Sequence, residues 1–92
     1  MIVRILGEGQ YDLAQADFDA LNALDDKVEA AVGAGDDVSF RTALDALLAG
    51  VRAHGSAHDV DSLDVSDLIL PPADASIDEV RQMLGDDGLI PG

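Results

Sequence analysis

Residues 12–51, DLAQADFDALNALDDKVEAAVGAGDDVSFRTALDALLAGV, decide the fold of this chain. Asp12 and Gln15 have the spacing of a capping box, and Ala14, Phe18, Leu21, Leu24, Val28 and Val32 then fall on one side of a helical wheel. This pattern predicts a first amphipathic helix starting at Asp12. Gly33-Ala34-Gly35 can close it with a left-handed cap, and Asp36 or Asp37 caps a second helix whose apolar face is Phe40, Leu44, Leu47, Leu48 and Val51. So short a loop makes the two helices antiparallel neighbours. Asp17 and Asp25 flank the first apolar stripe while Arg41 and Arg52 line one edge of the second, so ion pairs across the hairpin are one reading. Ordinary boundary charges, worth roughly 0–1 kcal/mol each, are the other. Gly50 costs a helix about 1 kcal/mol relative to Ala and marks a close backbone approach or a fraying end.

Outward from the hairpin the pattern shortens. Ile2 to Leu6 is a β-branched run, and Gly7-Glu8-Gly9 supplies the positive-φ positions of a tight turn before Gln10-Tyr11, so a strand or small hairpin opens the fold. His54 to Ser66 has no sustained period and reads as a flexible connection. Asp67-Leu68-Ile69-Leu70 resembles a brief buried strand, stopped by Pro71-Pro72 and suited to pair with Ile2 to Leu6. Ser76 and Glu79 repeat the capping-box spacing ahead of a short helix carrying Ile77, Val80, Met83 and Leu84, with Gly85 placed to end it. The fold class is α+β in a single small domain over residues 1–92: N-terminal strand or hairpin, helical hairpin, returning strand, short C-terminal helix. A two-helix hairpin with a thin core also suits a homo-oligomer, in which the remaining apolar face is covered by a copy.

Charge narrows the functions. The chain carries a formal charge of −14 on 92 residues while 48% of them are apolar. So acidic a surface repels phosphate backbones and anionic headgroups, which excludes nucleic acid and direct membrane binding as first readings. The acid is mostly Asp, as in proteins of a salt-rich cytoplasm or of a high-GC genome. There is no cysteine, so disulfides, thiolate catalysis and Cys-based zinc sites fall away together. The opening apolar run reaches Gly7 and Glu8 before an h-region could form, and no stretch has membrane-spanning length, so the chain reads as cytoplasmic.

No constellation for chemistry emerges. Gly7-Glu8-Gly9 starts like a dinucleotide fingerprint, but the third glycine position is Asp12, and a structural turn suffices. Asp59-Val60-Asp61 opens like a calcium loop, yet its required glycine is Asp64 and its twelfth position is Leu70. His54 and His58 have the spacing of two metal ligands on one helix face, but Gly55 and Ser56 lie between them and no HExxH glutamate follows His54. No serine sits in a GxSxG elbow. The residues thus point to a non-enzymatic protein without cofactor or metal.

Three segments, MIVRILGEGQY (residues 1–11), DLILPPADAS (67–76) and GDDGLIPG (85–92), together with LNALDD (21–26), resemble the PspA-associated protein family, small proteins linked to phage-shock-protein A systems. The resemblance covers nearly the whole chain and is loosest from His54 to Ser66. It implies a partner rather than a reaction: an accessory or regulator of a PspA-type membrane-stress response, binding that coiled-coil protein or a companion of the same locus. Gln10, Tyr11, Leu89, Ile90 and Pro91 are its candidate contact residues, and Gly7, Gly9, Pro71 and Pro72 its structural turn residues. The alternative reading is an acidic mimic of nucleic acid that occupies a basic protein's groove.

Overall fold

The computed structural model describes residues 2–57 and 68–83. Its elements run β1 (Ile2–Ile5), β2 (Gly9–Asp12), a 3-10 turn (Gln15–Asp17), α1 (Phe18–Ala34), α2 (Asp37–His54), β3 (Ser56–Ala57), β4 (Leu68–Leu70) and α3 (Ile77–Met83). This is the α+β order expected from the sequence.

The helical hairpin forms for the reasons its residues supply. Gly35, at φ 69°, ends α1 in the left-handed conformation and donates its N–H to the Ala31 and Val32 carbonyls. Asp36 then caps α2, its Oδ1 accepting from the Val38 and Ser39 amides at 3.1 and 3.2 Å and its Oδ2 from the Ser39 hydroxyl at 2.9 Å. Gly50 marks the close approach. A Cβ there would lie 3.0 Å from Leu21 Cδ2 and 3.1 Å from Leu24 Cδ1, so a bare backbone lets α2 settle against α1.

The start of α1 differs from expectation. The β-hairpin register carries β2 through Asp12, which pairs with Ile2, so Asp12 belongs to a strand and cannot cap a helix. Leu13 turns into the core, Ala14 is exposed ahead of the 3-10 turn, and helical geometry begins only at Phe18. From there the predicted period holds, with Leu21, Val28 and Val32 buried and Leu24 half-buried.

The sheet has the order β3-β2-β1-β4. β1 pairs antiparallel with β2 and parallel with β4, with Val3 opposite Leu68 and Ile5 opposite Leu70, which is the pairing expected of the returning segment. The Leu6 amide extends that ladder to the Leu70 carbonyl at 3.0 Å. Val3, Ile5, Leu68 and Leu70 join Leu21, Val28, Phe40, Leu44, Leu47, Leu48 and Val51 in one core, each side chain removed from water contributing about 2 kcal/mol.

The connection expected from His54 to Ser66 is ordered at its beginning. His54 is the last residue of α2, and Ser56–Ala57 add to β2 as an antiparallel strand; residues 58–66 lie outside the described residues. Gly55 makes this possible. A Cβ there would meet the Val51 carbonyl oxygen at 2.7 Å and Tyr11 Cβ at 3.0 Å.

Of the two readings of the charges flanking the helical hairpin, Arg41 and Arg52 follow neither, since both are engaged away from the acids of α1. Arg52 reaches Glu8, Arg41 reaches backbone carbonyls after β4, and Asp17 faces His54 Nδ1 at 3.6 Å. Asp25 is buried, not a boundary charge, and its carboxylate is engaged. Ser76 does cap the last helix, its Oγ accepting from the Glu79 amide at 3.2 Å, and its hydroxyl also donates to Glu79 Oε1 at 3.3 Å. Arg81 then ties α3 to the end of α1 through the Val32 carbonyl at 3.0 Å. Leu84 and Gly85 lie outside the described residues.

Candidate functional site

Of the residues singled out in the sequence, Gly7, Gly9, Gln10 and Tyr11 lie in or beside the β1–β2 turn. Glu8 donates its amide to the Ile5 carbonyl at 3.0 Å, and the chain reverses through Gly7 at φ 80° and Gly9 at φ 146°. A side chain would strain both positions, so these glycines build the turn.

On one side of the turn the Glu8 carboxylate is the hub of a small polar cluster. Arg52 donates Nη2 to Oε1 at 2.6 Å and Nε to Oε2 at 2.8 Å, a two-point pair, and the Tyr11 hydroxyl donates to Oε2 at 2.8 Å. The Arg52 hydrogen bonds, with a smaller contribution from Tyr11, hold the Glu8 carboxyl below its usual range. Tyr11 moves up because its hydroxyl is bonded to that carboxylate, and Arg52 moves up for the same reason. The Tyr11 ring packs half-buried against the core, so both ends of this expected contact residue are engaged within the chain.

The turn also borders an open depression of about 300 Å³, lined by Arg4, Ile5 and the residues from Leu6 to Gln10, Glu8 among them. Gln10 is only 8% exposed and its polar groups are engaged, so it forms a wall of the depression. Beyond β1 the same sheet face carries Ile69, which pairs in register with Arg4 and is 48% exposed.

Pro71 is buried and Pro72 half-buried. They lead from β4 into a turn closed by the Ala75 amide on the Pro72 carbonyl at 3.0 Å. Arg41 grips this turn, donating Nη1 to the Ala73 carbonyl and Nη2 to the Ala75 carbonyl, the latter at 2.8 Å. The prolines therefore set the position of α3 relative to α2. Leu89, Ile90 and Pro91 lie outside the described residues.

Sequence reasoning missed Arg4 and Ile69 as surface residues, and the pairing of Glu8 with Arg52. For Arg4 and Ile69 a signal existed, since strand alternation puts them on the face opposite Val3, Ile5, Leu68 and Leu70. For Glu8 and Arg52 none did. Among the described residues no group of three His, Asp or Glu side chains is placed to hold a metal ion, and no helix is long and apolar enough to cross a membrane.

The family model described as PspA-Associated protein matches residues 1–92. No curated protein and no solved structure matches the chain.

Proposed function

The chain belongs to the PspA-associated protein family, and on that premise we propose that it is an accessory protein of a PspA-type membrane-stress response, acting by protein binding rather than by catalysis. The family match along the whole chain is the observation that carries this reading. The partner is the PspA-type coiled-coil protein itself.

Charge supports a role of this kind. Asp19, Asp26, Glu29, Asp37 and Asp45 stand exposed on α1 and α2, and most of the −14 net charge is uncompensated. Such a surface accelerates encounter with a partner that has basic stretches, while a few desolvated contacts hold the complex. The test is a calorimetric titration of the purified chain into the PspA-type protein from the same genome, over a salt series. Saturable binding that weakens with added salt is the expected result, and absence of binding at every ionic strength overturns the proposal.

A further inference from the structure

We infer that the sheet face carrying Arg4, with Leu6 and Ile69 beside it, is the surface that receives the partner, and that the partner offers a carboxylate set between aliphatic side chains. The inference rests on the protein-binding function proposed above and names the site.

The placement of basic residues is the first ground. The chain has five against 19 acidic residues. Arg41, Arg52 and Arg81 are all committed to contacts that hold the fold. Lys27 projects from α1 beside Ala30 and Ala34, with Asp36 on the rim. Arg4 is exposed on β1, and among the described residues no carboxylate pairs with it. In a molecule so rich in acid, an arginine without a carboxylate of its own is poised for one from outside.

Its neighbours are the second ground. Three large apolar side chains are exposed among the described residues, and two of them, Leu6 at 38% and Ile69 at 48%, flank Arg4. Ile69 shares its register position, and Leu6 lines the same depression of about 300 Å³. Aliphatic groups around a guanidinium exclude water from an arriving carboxylate, which is how a single arginine becomes the anchor of an interface. A second copy brings an equal net charge of −14 with it.

Arg4→Glu and Lys27→Glu change the net charge by the same amount on different surfaces, so comparing them separates local contact from overall field. Each variant, with Ile69→Asn and the milder Arg4→Gln, is titrated against the purified PspA-type protein at one ionic strength, after circular dichroism has matched its fold to the unaltered chain. Arg4→Glu, Arg4→Gln and Ile69→Asn weaken binding by about tenfold or more, while Lys27→Glu stays within about twofold. If the unaltered chain binds and Arg4→Glu matches Lys27→Glu, the surface is wrong and the protein-binding function stands. If the unaltered chain does not bind at all, both fall. If light scattering shows a dimer that Arg4→Glu dissociates, the occupant is a second copy and the inference is overturned.

Discussion

Glu8 and Arg52, 44 positions apart in the chain, meet in a two-point ion pair with contacts of 2.6 and 2.8 Å. The pair pins the turn of the β-hairpin to the last turn of α2, at the end where Gly55 lets the backbone pass into β3. Water reaches both partners, with Arg52 40% and Glu8 32% exposed, so screening limits the contribution to about 1 kcal/mol.

Its pH dependence has a definite sign. The Glu8 carboxyl titrates lower in the folded chain than in the unfolded one, so its stabilisation is complete above the unfolded carboxylate value and is lost as pH falls through the folded value. Urea unfolding should therefore show Glu8→Gln less stable than the unaltered chain at neutral pH, with the gap closing in acid.

Tyr11 gives a spectroscopic readout of the same cluster, because the chain has a single tyrosine. Its hydroxyl donates to Glu8, so ionisation is disfavoured and tyrosinate absorbance should appear at higher pH than for a free tyrosine. Glu8→Gln should move the transition back down. A raised folded value also means that this hydrogen bond stabilises the fold below the unfolded tyrosine value and ceases to do so as pH rises through the folded one.

The two close-approach glycines should respond differently to alanine. At Gly50 the neighbours are the tips of Leu21 and the half-buried Leu24, which can yield, and alanine restores about 1 kcal/mol of helix propensity, so Gly50→Ala should be nearly neutral. Gly50→Val should cost about 1–3 kcal/mol by overpacking. At Gly55 the nearest atom is the Val51 carbonyl oxygen at 2.7 Å, which is backbone and cannot yield cheaply. Gly55→Ala should lower the thermal midpoint clearly more than Gly50→Ala does.

Arg41 should behave as a bracket. Its guanidinium serves the carbonyls of both Ala73 and Ala75 while stacking on the Phe40 ring at 5.4 Å. Lysine keeps the charge and loses the fork, so Arg41→Lys should cost about 1 kcal/mol. Hydrogen exchange should localise the effect, with the Ala75 amide, bonded to the Pro72 carbonyl, exchanging faster than in the unaltered chain while the α2 core amides hold.

What the sequence made legible was local. The Gly35, Asp36 and Ser76 caps, the Gly7 and Gly9 turn and the apolar faces of α1 and α2 each follow from residues within a few positions of one another. The pairing of β4 with β1 was readable as well, because two short apolar runs in so small a chain have few other places to be buried. Asp12 misled because capping-box spacing is common among acidic residues, and the hairpin register, set by the turn, overrode it. The partners of Arg41 and Arg52 were illegible for a different reason. Long side chains choose among acceptors by the angle at which helix meets sheet, and neither spacing nor period encodes that angle.

The position of β1 in the sheet bears on how the chain is made. Of the described strands β1 is made first, yet it lies between β2 and β4, the one made last. Hairpin β1–β2 and the two long helices can assemble while synthesis continues, but one flank of β1 has to wait for residues 68–70. Until they emerge, Val3 and Ile5 face an unfinished core, and the nascent protein exposes the apolar edge that the finished one covers.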